Sequence, residues 1–226
     1  MDQLPVTIKM SIPSLAKLSF VGLVYIYAVK LIDSFFHGLF RPAAFAGVVV
    51  ALSILAGVVQ FLFFVEFYRQ LVPQGKFPLK IAAWLAICGA AAGLFPKFLA
   101  MSLLLQTPIL FPLIRHSQPI AAFFPWLSAT LLFLFGLTFS IEYHGSGNRN
   151  LFFSLVAGAV GWLIMAAAQS LVTVNYATSG RVVWLSDLLV AGPVVFVGLS
   201  SLTLVGLSIF FIAFSKVLPS DPFGCP

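Results

Sequence analysis

Long apolar runs separated by short polar segments recur along the chain. Four of the runs contain no Asp, Glu, Lys or Arg, and they cover residues 42–65, 117–141, 150–180 and 188–215. Each run is long enough for one membrane span, because about 20 helical residues cross the hydrocarbon core of a bilayer. Two further runs complete a set of six: 81–106, interrupted only by Lys97, and 14–40, whose uncharged centre is 18–29.

The runs are continuously apolar and do not alternate, which favours helices over the strands of a membrane barrel. Proline- and glycine-containing segments separate them, such as 73–78 and 144–148. We therefore predict an all-α fold, a polytopic transmembrane helical bundle of about six spans, in which residues 1–226 form a single integral membrane domain. The predicted spans are about 14–40, 42–70, 80–107, 118–142, 150–175 and 190–216.

The composition excludes a soluble enzyme, a disordered chain and a coiled coil. Hydrophobic residues make up 61% of the chain and charged residues only 8%, whereas soluble domains have about 45–50% apolar and about 25% charged residues. The net charge is +6, but the basic residues are scattered between spans. We expect them to contact the lipid bilayer, and we expect no nucleic-acid partner.

The distribution of Lys and Arg predicts the orientation. Ten basic residues flank the spans. Seven lie on the side that bears the N-terminus: Lys9, Lys17, Arg69, Lys76, Lys80, Arg149 and Lys216. Three lie on the other side: Arg41, Arg115 and Arg181. Because basic residues are enriched in cytoplasmic segments, both termini should be cytoplasmic. We expect a multi-pass protein of the cell membrane, the cell inner membrane where a cell has two.

Two spacings predict contacts. Gly89 and Gly93 form a GxxxG step in span three, and Ala43, Gly47 and Ala51 repeat every four residues in span two. Such faces let helix backbones approach closely. Glu66 stands three residues before Arg69, the separation at which a helix pairs opposite charges.

Lys97 is the most informative polar residue, because a charge at mid-bilayer costs at least about 2.5–3.5 kcal/mol. It follows Pro96 deep inside span three, and its stem can snorkel only part of the way to the outer boundary. One interpretation is a cation that lines a polar cavity or binds an anion. The other is a kinked helix in which the ammonium is bound to carbonyl groups or water.

A second polar group ends span one. Lys30, Asp33 and His37 are spaced three and four residues apart, so they lie on one helical face together with Tyr27. Asp33 could pair with Lys97 across the bundle or with Lys30 within its own helix. The candidate ligand-binding residues are therefore Lys97, Asp33, Lys30 and His37.

We find no catalytic motif, metal-ligand spacing or cofactor signature, so we expect no enzymatic activity, no metal and no cofactor. The hypothesis we favour is a protein that binds or transports a small molecule or ion through a polar site in the outer half of the bundle. The alternative is a non-catalytic integral subunit that binds other membrane subunits of a larger complex. The 25 Phe residues would suit lateral contacts in such a complex.

Overall fold

The structure is a computed structural model that describes residues 11–35, 43–72, 76–104, 118–142, 144, 149–177 and 192–216. These residues form six helices: α1 (Ile12–Phe35), α2 (Ala43–Leu71), α3 (Phe77–Leu104), α4 (Gln118–Glu142), α5 (Arg149–Ala177) and α6 (Gly192–Lys216). Each helix is long and apolar enough to cross a membrane. The all-α, six-span prediction is confirmed, and the chain is a multi-pass membrane protein.

The described helices begin and end within a few residues of the predicted spans, and α4 coincides with 118–142. Residues 36–40 and 105–107, which the prediction gave to spans one and three, lie outside the described residues. So does most of the link around Trp184, where the sequence suggests a short helix at the membrane interface.

Consecutive helices pack side by side, and α6 returns to pack against α1. The main helix contacts therefore follow a ring in the order α1, α2, α3, α4, α5, α6. We call the end at which α1 begins and α6 ends the proximal end, and the opposite end the distal end. The orientation predicted above would place the proximal end in the cytoplasm, and it stays a prediction.

An aromatic cluster fills the proximal half of the ring. Its members come from α2, α4, α5 and α6, and they are Phe63, Phe64, Phe67, Phe135, Phe139, Trp162, Phe210, Phe211 and Phe214. Contacts cross the ring: the Phe63 and Phe211 ring centroids are 5.3 Å apart, and those of Phe64 and Trp162 are 6.1 Å apart. Most of these pairs are edge-to-face or tilted, the arrangements that aromatic quadrupoles favour.

Glycines permit close approach at the helix crossings. A β-carbon on Gly206 of α6 would lie 2.6 Å from the Ala157 carbonyl oxygen of α5. One on Gly93 of α3 would lie 2.9 Å from the Ser128 hydroxyl oxygen of α4. The predicted packing of Gly89 and Gly93 is therefore confirmed, because both glycines contact α4.

The small-residue face of α2 behaves differently. Gly47 has no described atom within 4 Å of its β-carbon position, and Ala51 is exposed. Within the described part of the chain, this face packs against no other helix.

Ion pairs lie at the proximal end. Arg69 donates to Glu66 at 2.9 Å, as the spacing predicts, and Gln70 donates to the other carboxylate oxygen. Lys76, just before α3, pairs with Glu142 at the end of α4 at 2.7 Å.

Candidate functional site

The ammonium of Lys97 lies in the middle of the bundle wall. Lys97 is half-buried between α3 and α2, and its Nζ is 2.9 Å from the point where a β-carbon on Gly57 would be. Gly57 is the midpoint of α2. Because α2 spans the membrane, the cationic group is about midway between the two bilayer surfaces.

The direction of the helix explains this position. Side chains on a helix point back toward its N-terminus, and α3 runs from the proximal to the distal end. The Lys97 stem therefore points toward the proximal end. It returns to the level of Leu94, whose Cδ2 is 2.6 Å from the same Gly57 position. The Lys97 side chain therefore does not snorkel toward the distal boundary.

Pro96 leaves a backbone carbonyl free to accept a hydrogen bond in the same region of α3. It lies inside the helix and has no N–H to donate, so the carbonyl of Ala92 loses its usual helical partner. A carbonyl released in this way, one turn before Lys97, makes this part of the helix more polar than its side chains alone suggest.

One face of α2 is polar next to Lys97 and becomes aromatic toward the proximal end. This face contains Ser53, Gly57 and Gln60, which are four and three residues apart. The Ser53 and Gln60 side chains are half-buried. Phe63 and Phe64 begin one turn later and belong to the aromatic cluster. The polar part of α2 thus ends where the packed aromatic core starts.

A hydrogen bond joins the first and last helices. The hydroxyls of Tyr27 on α1 and Thr203 on α6 are bonded, and Thr203 donates to the Leu199 carbonyl at 2.9 Å. The Thr203 oxygen therefore accepts from the Tyr27 phenol. This two-step chain places polar groups at the α1–α6 contact, in the half of the bundle distal to the aromatic cluster.

The structure describes the other predicted site residues only in part. Lys30 and Asp33 lie in the last two turns of α1 with side chains outside the described set, and His37 lies outside it altogether. Gly22 of α1 contacts Ala56, the neighbour of Gly57. The four-residue site, including the pair between Asp33 and Lys97, stays a prediction.

Sequence reasoning missed the residue that accommodates the ammonium. Gly57 belongs to neither of the glycine patterns considered above, although it stands four residues after Ser53 and beside Ala56 at mid-span. That small, polar-flanked position was the available signal. Among the described residues, no three His, Cys, Asp or Glu side chains are grouped to hold a metal ion.

No protein-family model, curated protein or solved structure matches this chain.

Proposed function

We propose that the protein binds or transports a small molecule or ion through a polar site that contains Lys97, in the distal half of the bundle. The observation that carries the proposal is the position of the Lys97 ammonium beside the midpoint of α2. A cation there costs at least about 2.5–3.5 kcal/mol on insertion scales. Ionisable groups inside membrane spans typically belong to substrate or ion pathways.

The chemistry of an ammonium selects the ligand. It has three N–H donors and no acceptor, so it binds groups that carry negative charge or lone pairs. A small anion suits such a site, because the charge of the ligand offsets that of Lys97 where water is scarce. The Ser53 hydroxyl and Gln60 amide, on the same face as Gly57, can supply further hydrogen bonds.

The aromatic cluster supports access from the distal side. Phe63, Phe64 and Phe67 are fully buried in the proximal half of the ring, next along α2 after the polar face. A ligand at Lys97 would therefore meet close packing toward the proximal end. This arrangement suits a binding pocket, or a transporter that is closed on one side, better than an open channel.

The proposal is tested with defined anions. Purified wild-type protein in detergent would be melted in chloride, nitrate, acetate and benzoate salts at matched ionic strength. We expect at least one anion to raise the Tm, because ligands that bind only the folded state stabilise it. Lys97→Met should abolish that increase. Lys97→Arg, which keeps the charge, should retain part of it, and Lys80→Met, at the proximal end, should retain all of it.

Two results would overturn the proposal. One is an anion-dependent Tm increase that is the same in folded Lys97→Met as in wild type. The other is a wild-type protein that responds to none of these anions. If a responding anion is found, its uptake into proteoliposomes distinguishes a transporter from a binding protein.

The second candidate function is that of a non-catalytic subunit in a larger membrane complex. It is favoured by the face of α2 that contains Gly47 and Ala51, which packs against nothing in the described part of the chain. Small residues on a membrane helix let a second helix approach closely. A partner subunit could use this face as its docking surface.

Native gels of protein extracted in mild detergent test this candidate. Wild type should migrate above the monomer, and the Gly47→Leu/Ala51→Leu double variant should shift toward it. Ala167→Leu, on the exposed face of α5, is the control and should leave migration unchanged. Migration of wild type as a monomer would argue against a complex.

A further inference from the structure

Charges are unevenly distributed around the proximal end of the ring. On α2, α3 and α4, Glu66 pairs with Arg69 and Glu142 pairs with Lys76. The neighbouring helices α5, α6 and α1 carry Arg149, Lys216 and Lys17 at this end. The described residues of α5, α6 and the proximal half of α1 include no carboxylate. We call Lys17, Arg149 and Lys216 the basic arc.

Each residue of the basic arc belongs to the lipid-facing side of its helix. Lys216 ends the exposed stripe of α6 that contains Val205 and Ile209. Arg149 begins α5 one turn before Phe153, whose side chain is 62% exposed. All three basic side chains are exposed. The arc therefore faces lipid and not the interior of the ring.

Lys17 is placed so that its ammonium can reach the lipid headgroups. It lies on the exposed stripe of α1, next to Leu18 and in line with Val21. It is five residues after Ile12, so its Cα is about 7.5 Å inside the helix start. Because side chains on α1 point toward the proximal end, the apolar stem of Lys17 can lie along lipid chains while its ammonium reaches the headgroups.

We propose that the basic arc is a binding site for the headgroup of an anionic phospholipid in the proximal leaflet. Packed helices have axes about 8–10 Å apart, so the three cations on the adjacent α5, α6 and α1 line one side of the proximal end. The acyl chains would lie on the exposed stripes of the same helices, against Val21, Phe153 and Val205. Charge complementarity favours an anionic lipid over a zwitterionic one, because every described charge of the arc is positive.

The site is tested by lipid titration of the whole protein. Native mass spectrometry would measure the equilibrium constant for the first phosphatidylglycerol bound in detergent, with phosphatidylcholine as the neutral comparison. Each basic side chain near a membrane surface favours anionic lipid by about fivefold. The Lys17→Gln/Arg149→Gln/Lys216→Gln variant should therefore bind phosphatidylglycerol on the order of 100-fold more weakly, with little change for phosphatidylcholine.

A matched variant controls for net charge. Arg69→Gln/Lys76→Gln/Lys80→Gln removes three basic residues from the same end but leaves the basic arc intact, and it should bind phosphatidylglycerol almost as wild type does. Inorganic phosphate should compete poorly, since it has no acyl chains. Equal weakening in the two triple variants, or an arc variant that binds like wild type, would overturn the site. Full displacement of the lipid by inorganic phosphate would also overturn it.

Discussion

The Lys97 side chain occupies the space that a side chain on residue 57 would need. Its Nζ is 2.9 Å from the β-carbon position of Gly57, and Leu94 Cδ2 is 2.6 Å from that position. Real side chains essentially never approach a β-carbon so closely. The ammonium reaches mid-membrane because α2 has a glycine there.

Gly57→Ala should therefore destabilise the protein by about 1 kcal/mol, the low end of the cost of overpacking, because the atoms that must move are the free ends of flexible side chains. Reversible unfolding in detergent measures this cost. Adding Leu94→Ala relieves the leucine contact but not the displacement of Lys97. The double variant should thus recover stability while the anion-dependent Tm increase stays weakened. Gly47→Ala, on the open face of the same helix, should change stability by less than about 0.5 kcal/mol. Equal costs at 57 and 47 would contradict this packing.

The α5–α6 crossing gives a second matched pair of glycines. A β-carbon on Gly206 would meet the Ala157 carbonyl oxygen at 2.6 Å, whereas Gly198 on the same helix has no described atom within 4 Å. Backbone yields less readily than a flexible side chain, so Gly206→Ala should cost more than Gly57→Ala, about 2–4 kcal/mol. Unfolding titrations in detergent should show Gly198→Ala to be nearly neutral. A larger loss at 198 than at 206 would be inconsistent with the crossing.

The hydrogen bond between Tyr27 and Thr203 predicts an asymmetry between two conservative substitutions. Tyr27→Phe removes the donor, but the Thr203 hydroxyl keeps its bond to Leu199, so the loss should be about 0.5–1 kcal/mol. Thr203→Val removes the acceptor from a mostly buried phenol and should cost more. A double-mutant cycle should give a favourable coupling energy of about 0.5 kcal/mol or more. Strictly additive effects would show that the two hydroxyls do not interact.

The aromatic cluster predicts where truncation is most damaging. Phe63 is fully buried and contacts rings of α6 as well as those of α2. Phe63→Ala should cost about 2–4 kcal/mol, chiefly through lost packing, because lipid is as apolar as the site. Phe153→Ala on the lipid-facing side of α5 should cost less than about 0.5 kcal/mol. Thermal unfolding in the same detergent compares the Tm values of Phe63→Ala and Phe153→Ala. Similar decreases in Tm would contradict a core position for Phe63.

The helices were predictable because lipid imposes a simple rule on sequence. An apolar run must satisfy its own backbone hydrogen bonds, so length and polarity are enough to identify spans. Local pairs such as Glu66 and Arg69 followed from helical spacing alone. By contrast, Gly89 with Gly93 and Gly47 with Ala51 follow the same four-residue pattern, and of these two described pairs only the first packs against another helix. A small-residue spacing does not specify which neighbour covers it.

Lys97 illustrates the same limit at the candidate site. Its depth along α3 was readable from the sequence, and so was the cost of burying its charge. The direction of its side chain depended on Gly57, forty residues earlier, and on the packing of α2 against α3. The central position of Phe63 and its neighbours likewise depended on ring order, so the sequence suggested lateral contacts for many of the Phe residues that in fact fill the core.

The contact between α1 and α6 joins the first of the six described helices to the last. Until α6 has entered the bilayer, the residues of α1 that face it can be covered only by lipid or by an insertion factor. Among the described helices, the α1–α6 contacts therefore have the greatest sequence separation, and such contacts are typically slow to form. A chain that stops after α5 would leave one side of Phe63 and Trp162 uncovered. Cellular quality control would then encounter a bundle in which α1 lacks its contact with α6.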